Sequence, residues 1–390
     1  MPGRVTLPAN PVETHHGRVN TGVGNRVARF RDQYWERGEP GRETPPVLVA
    51  ALYKLWLAGL LLKLIGSSWD VAWHFKWLRD ELAPPHMVNT VGTVIVVGLT
   101  LFHTYTGYGV DKTALRLMQW GTGLFLIALP IDLINHRING LDITSWSGSH
   151  ALLYLGTAIM LAGAIRGWIK LYPAGPWQVF GLAGLWFFFL ENVWFPNQHQ
   201  EYGVLEIASW DRGDPYAEPI LLQFAADQIG RPVDRESIVQ FSLPIPDWVY
   251  PVWGLVAAAL VLVIARRTIG TRWAATAVAG GYVAYRLLIW PLLAGADFPL
   301  SAVPVFLLLT GLVVDAAHLG RVPTPVAALL GSAAVTGLGY GGIWIQQALD
   351  AGPPISYPSA AATFIVLAAL WMAADRIKVG RTPRRSLVTA

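Results

Sequence analysis

Long apolar segments separated by short polar connections constrain this chain more than any other feature of its sequence. Hydrophobic residues make up 53% of the 390 residues and charged residues only 14%, against roughly 25% charged residues in soluble proteins. A helix needs about 20 apolar residues to cross the hydrocarbon layer of a membrane. The sequence therefore predicts an all-α integral membrane protein with about ten transmembrane helices, at residues 46–75, 86–108, 113–138, 149–171, 176–196, 248–267, 272–294, 299–318, 323–349 and 358–377.

The positive charges are divided unevenly between the two sides of the predicted membrane region. On the side of the N-terminal tail lie 20 Lys and Arg residues, and on the other side lie six. Cytoplasmic connections carry the excess of Lys and Arg in membrane proteins, so we expect a multi-pass protein of the cell membrane with both termini in the cytoplasm. The pI of 9.3 then reflects topology, and nucleic acid is not an expected partner.

The predicted organisation has five parts. They are a polar cytoplasmic tail (1–45), a five-helix metal-site region (46–196), an extracytoplasmic connection (197–247), a second five-helix membrane region (248–377) and a basic cytoplasmic tail (378–390). The connection carries nine acidic residues against three Arg. We expect it to form a small cap or a segment that lies on the membrane surface.

A two-helix unit is repeated inside the first membrane region. Both copies follow the pattern D-x3-H-x5-D, and then H-x5-G-T-x-I after a short interval. In order, the residues are Asp70, His74, Asp80 and His86 in the first copy, and Asp132, His136, Asp142 and His150 in the second. So many shared offsets indicate an internal duplication.

The spacing of this repeat predicts metal sites. Residues four apart share one helix face, and the next helix returns antiparallel after a short connection. Each hairpin is thus expected to bring one carboxylate and two imidazoles together at the outer membrane edge, a ligand set that suits copper, iron or zinc. The predicted metal ligands are Asp70, His74 and His86, and Asp132, His136 and His150. Alternatively, these side chains only cap helices and bond to one another.

The first copy resembles the metal-site motif of a known family. The stretch from Asp70 through His74 and Arg79-Asp80 to His86 is similar to that motif in the C subunit of the copper membrane monooxygenases, which are the particulate methane, ammonia and hydrocarbon monooxygenases. The interval between the two histidines is one residue shorter here. The family also has a second site, Asn-x3-His followed by His.

The second copy fits that other site, with Asp132 in place of Asn. The resemblance covers roughly residues 60–165. It implies copper at both ligand sets and an oxidoreductase that uses O₂ to hydroxylate a small apolar substrate. It also implies further monooxygenase-type subunits or a homo-oligomer as partners. Helices five to ten have no counterpart in the C subunit, and no catalytic residue is predicted.

Two other functions compete with an oxygenase. One is a non-catalytic membrane protein that handles copper or assembles it into an oxidase. The other is a proton-coupled or ion-coupled transporter, with Lys63, Asp70 and Asp132 as its ionisable sites. Transporters typically contain inverted repeats and broken helices near mid-membrane. The repeat found here is parallel and its polar residues lie at one edge, which favours a metal protein.

Some polar residues outside the repeat also carry predictions. Lys63 shares a stripe with Asp70 and is expected either to pair with that carboxylate or to extend to the membrane surface; Arg286 has the same two interpretations. Three further residues follow the fifth helix, namely Glu191, Asn192 and His199. They are interpreted as the start of a polar loop, and the alternative is that they complete or flank a metal site.

Small residues recur every four positions in the ninth predicted helix. They are Ala333, Gly337 and Gly341. Small residues at this spacing let two membrane helices approach closely, so we expect them to form a packing face.

The charge distribution makes the topology testable. A reporter that is active only in the cytoplasm, fused after Ala390, should be active, because the side rich in Lys and Arg faces the cytoplasm. A reporter that is active only outside the cell should be silent at the same position. The reverse result would contradict the ten-helix topology.

Overall fold

The computed structural model describes residues 22–78, 82–139, 144–320 and 322–376, and within them the regular secondary structure is all helical. These ranges contain thirteen helices and no strand. The helices are α1 (Gly22–Tyr34), α2 (Pro46–His74), α3 (Pro84–Thr106), α4 (Lys112–Asn139), α5 (Gly148–Leu171), α6 (Pro176–Asp211), α7 (Pro219–Ile229), α8 (Arg235–Ser242), α9 (Val249–Ile269), α10 (Ala274–Gly295), α11 (Phe306–Leu319), α12 (Thr324–Leu349) and α13 (Tyr357–Arg376).

Nine of the described helices are long and apolar enough to cross a membrane. The prediction of an all-α integral membrane protein is therefore confirmed. The exception among the predicted spans is 299–318, where α11 has only 14 residues. Two prolines, Pro299 and Pro304, lie just before α11. Proline cannot donate a helix hydrogen bond and disfavours helix in the residue before it, so the backbone becomes helical only after Pro304.

The fifth predicted span continues well beyond residue 196. Helix α6 has 36 residues and contains Pro196. Two side chains from outside the helix bond to carbonyls near this proline: Trp253 Nε1 donates to Val193 O at 2.8 Å and Ser145 Oγ donates to Pro196 O at 3.0 Å. The interpretation of 197–199 as a loop is thus wrong, because the polar residues after Pro196 are buried inside the bundle and bonded there.

The second half of the 197–247 connection packs against the end of the membrane helices. Helices α7 and α8 place Leu222 and Phe241 in an apolar cluster with Phe75, directly after α2, and Tyr202 of α6. The rings of Phe75 and Phe241 are 5.5 Å apart. We call α7 and α8 the cap, and the bundle end that it contacts the cap end.

The two hairpins of the repeat have the same internal contact. A Cβ atom placed on Gly92 of α3 would lie 2.6 Å from the carbonyl oxygen of Gly59 on α2. In the second hairpin, a Cβ on Gly156 of α5 would lie 2.9 Å from the carbonyl oxygen of Gly121 on α4. Gly121 and Gly156 occupy the repeat positions of Gly59 and Gly92, so the duplication seen in sequence is also a duplicated helix crossing.

A buried ion pair joins α6 to α10. Arg286 Nη1 lies 2.7 Å from Glu201 Oε2, and the two side chains are 3% and 0% exposed. Glu201 also accepts bonds from Trp194 Nε1 and Tyr250 Oη, while Arg286 Nη2 donates to Ser301 Oγ. Of the two interpretations of Arg286, the ion pair is the one observed.

The predicted packing face of α12 makes no close contact with another helix among the described residues. No atom lies within 4 Å of a Cβ placed on Gly337 or Gly341, and Ala333 is exposed. The buried face of α12 instead contains Gly331, which packs on Trp371, and Gly339, which packs on Leu255. Both faces of this helix are rich in small residues, so spacing alone could not choose between them.

The glycine crossing predicts a sharp difference between two substitutions in the second hairpin. Gly156→Ala should lower the free energy of unfolding by about 1–3 kcal/mol, because the new methyl group meets backbone atoms of α4. Gly123→Ala is the control, since a Cβ there has nothing within 4 Å. Thermal unfolding in detergent measures both variants, and equal transition temperatures would show that the crossing is not tight.

Candidate metal centres

The first candidate centre lies where α2 ends and α3 begins. Asp70 and His74 are in the last two turns of α2, and His86 is in the first turn of α3. Asp70 Oδ1 is 2.8 Å from His86 Nε2 and 3.6 Å from His74 Nε2. Consecutive prolines at the start of α3 suit its first turn, where no backbone donor is needed. This start position directs His86 back to α2.

The second candidate centre occupies the same place in the other hairpin. Asp132 and His136 lie near the end of α4, and His150 is in the first turn of α5. Asp132 Oδ1 is 3.4 Å from His136 Nε2 and 3.6 Å from His150 Nε2. Ser147 caps α5 by accepting a bond from the backbone N–H of His150 at 3.3 Å.

Each hairpin therefore brings together the three residues that the repeat predicts. In both groups, one candidate ligand atom from each residue lies within 4.8 Å of the others, so each group could hold a metal ion. Arg79, Asp80 and Asp142, which are part of the sequence pattern, lie outside the described residues.

The donor geometry of the second group fits a metal. Two atoms bound at about 2.0–2.1 Å to one tetrahedral ion lie about 3.3–3.4 Å apart. The 3.4 and 3.6 Å separations are close to this value and exceed an ordinary N–H···O distance. His150 Nδ1 lies 3.2 Å from the carbonyl oxygen of Thr144. A carbonyl only accepts, so Nδ1 carries the proton and the lone pair of a neutral ring is at Nε2, toward Asp132.

The two groups differ in exposure. In the first, the side chains of Asp70 and His74 are 22% and 29% exposed. In the second, those of Asp132 and His136 are 12% and 3% exposed. The first group is therefore the more accessible of the two.

Both groups line one cavity of about 840 Å³ at the cap end. Its remaining wall is mostly apolar and comes from α2 to α6 and the cap. Several of its wall residues are largely exposed, including Val94 and Leu101 on α3 and Leu126 and Leu129 on α4. The cavity wall is therefore exposed along these two helices.

Three residues that the sequence analysis assigned to a loop also line this cavity. Glu191, Asn192 and His199 are on α6, and Glu191 and His199 are buried. Glu191 Oε1 accepts from Gln198 Nε2 at 2.8 Å, and His199 Nε2 lies 3.3 Å from the carbonyl oxygen of Phe241. The signal that could have identified this face is the i, i+3, i+7 spacing of Asn192, Phe195 and His199, which continues across Pro196.

Lys63 does not pair with Asp70, and it does not extend to the membrane surface. Its ammonium group donates to Asn89 Oδ1 at 3.1 Å and to Thr93 Oγ1 at 3.0 Å. The same group lies 4.1 Å from the ring centroid of Phe125. Lys63 thus faces α3 and α4, in the wall of the cavity.

Comparison of the chain with protein-family models, with curated proteins and with solved structures gives no match.

Proposed function

We propose that this protein is a membrane metalloprotein with two metal centres that serve one apolar cavity, and that it is the metal-bearing subunit of a copper-dependent monooxygenase. The observation that carries this proposal is the pair of equivalent Asp-His-His groups facing the same cavity. The similarity of the stretch from Asp70 to His86 to the copper membrane monooxygenases also supports it. We place the protein in the cell membrane with both termini in the cytoplasm.

In this proposal the histidines and aspartates hold the metals. Each hairpin supplies two imidazole nitrogens and one carboxylate, a set compatible with copper and also with iron or zinc. When bound, copper supplies the electron-transfer and dioxygen chemistry that amino-acid side chains lack. The carbonyl of Thr144 keeps His150 in the tautomer whose Nε2 points toward Asp132.

In this proposal the cavity wall binds the substrate. Apolar side chains on α3 and α4 admit a substrate from the lipid and exclude water around it. Phe195 and Leu133 bring apolar surface to the same space as the histidines. A substrate bound here is held beside both centres and away from bulk water. Other monooxygenase-type subunits, or a second copy of this chain, would complete the enzyme.

One observation favours a second function, which is copper handling without catalysis. The first group is partly exposed at the end of the bundle, and an exposed centre can exchange its metal with a carrier protein. Such a protein would need the two centres but not the apolar cavity.

The metal centres can be tested by stoichiometry. Wild-type protein loaded with Cu and purified in detergent should retain two equivalents, and His136→Ala and His150→Ala should each retain one, because the first hairpin has its own ligands. Elemental analysis measures the content, and thermal unfolding checks folding. His318→Ala is the control, since His318 lies outside both groups and bonds to Val314 O. Unchanged metal content in both hairpin variants would show that these histidines are structural.

The two functions are separated by an oxygen-incorporation assay. Membranes that contain the protein with its partner subunits are supplied with isotope-labelled dioxygen and a small alkane. A monooxygenase should place labelled oxygen in the alcohol product, and His136→Ala should reduce the yield by about tenfold or more. Normal Cu binding without labelled product, in the presence of an electron donor, would favour copper handling over alkane hydroxylation.

A further inference from the structure

Lys63 provides an amine group in the cavity wall whose contacts among the described residues are all neutral. Its side chain is buried, and its ammonium contacts are the amide oxygen of Asn89, the hydroxyl of Thr93 and the ring face of Phe125. Each of these contacts stabilises a positive charge. None of the ion pairs formed within the described ranges involves Lys63. The charge therefore faces the cavity without a protein counterion in that part of the chain.

The surroundings of Lys63 are ordered by further bonds. Asn89 Nδ2 donates to Ser67 Oγ at 3.2 Å, which directs the amide oxygen of Asn89 toward Lys63. Ser67, like Lys63 and Asn89, lines the cavity. These residues form a polar patch in an otherwise mostly apolar wall, and we call it the Lys63 patch.

The second hairpin shows that this patch is not required to build the unit. By the offsets of the repeat, the positions of Lys63, Ser67 and Asn89 correspond to Phe125, Leu129 and Leu153. The second hairpin makes the same glycine crossing with these apolar residues. A polar patch that costs desolvation and is not needed for folding is a candidate ligand site, as ionisable residues within membrane spans generally are.

We propose that the cavity binds a carboxylate-terminated alkyl chain, a medium-chain fatty acid, with its carboxylate on Lys63. Seven residues separate Lys63 from Asp70 along α2, which is a rise of about 10.5 Å. The chain of the fatty acid would follow the apolar wall over this distance and reach the Asp-His-His groups. This inference deepens the proposed function by naming its substrate class, and rests on that function only for the chemistry that follows binding.

The charge of Lys63 favours a carboxylic acid over a neutral alkane as the ligand. A buried ammonium with neutral neighbours gains a charge-assisted hydrogen bond from a carboxylate. An alkane or a primary alcohol offers it no counterion. The exposed part of the wall on α3 and α4 would give an amphiphile in the bilayer access to the cavity.

The experiment measures the binding of decanoate and of decanol to the full-length protein in lipid nanodiscs by competition with a fluorescent fatty acid. Lys63→Met should weaken decanoate binding by about tenfold or more, because the charge-assisted bond is lost. Its decanol binding should stay within about twofold of wild type. Lys54→Met, at an exposed position on the same helix, is the matched control and should bind both as wild type does.

A second variant guards against misfolding of Lys63→Met. The double variant Lys63→Phe, Asn89→Leu copies the lining of the second hairpin, which folds with those residues. It should bind decanol and discriminate against decanoate. Equal decanoate affinity in wild type and in either folded variant overturns the inference, as does a wild-type protein that does not bind decanoate.

Titrations without bound metal test this inference separately from the proposed function. The titrations are repeated after metal removal with a chelator and in His136→Ala. If decanoate binding depends on Lys63 but the protein never binds Cu, the fatty-acid site is supported. Only the proposed metal centres are then contradicted. If Cu binding is normal but decanoate binding does not depend on Lys63, the metal centres are supported and the fatty-acid site is contradicted.

Discussion

Close backbone contact within each hairpin is the constraint on which the rest of the metal-centre region depends. At Gly59 with Gly92, and at Gly121 with Gly156, two helices approach so closely that a single methyl group would collide with backbone. This contact fixes the relative rotation of the paired helices. Once the rotation is fixed, an Asp at the end of one helix and a His in the first turn of the next must face each other. The crossing thus sets the helix positions of the centres, and Thr144, in the connection before α5, orients His150.

Much of this arrangement could be predicted from the sequence, because its signals are local. The apolar runs predicted the helices. The i, i+4 spacing of Asp132 and His136, with His150 in register, predicted the second candidate centre, and the same pattern predicted the first. The glycines of the repeat carry the same information. What could not be predicted depends on partners distant in the chain. Helix α6 continues past Pro196 because Trp253 and Ser145 bond to its carbonyls, and neither side chain is visible in the local sequence.

The contacts of Lys63 could not be predicted for the same reason, because they come from other helices. Its stripe position relative to Asp70 suggested an ion pair, since only residues on one helix were compared. In the folded protein the ammonium group instead contacts two oxygen acceptors on α3 and an aromatic face on α4. The two duplicated hairpins also diverged at Lys63 and Phe125, equivalent positions whose side chains meet between them. A repeat therefore predicts shared geometry well and predicts the lining of a shared cavity poorly.

The length of α6 has a mechanical consequence. Its 36 residues span about 54 Å, far more than the roughly 30 Å of hydrocarbon in a bilayer. The same continuous helix carries the cavity face at Phe195 and His199, the ion-paired Glu201, and a terminal stretch that packs against the cap. A displacement of one of these parts is therefore coupled to the others through the helix. A neighbouring protein that tilts the cap would therefore also move α6. This movement would alter the width of the cavity without any contact at the metal centres.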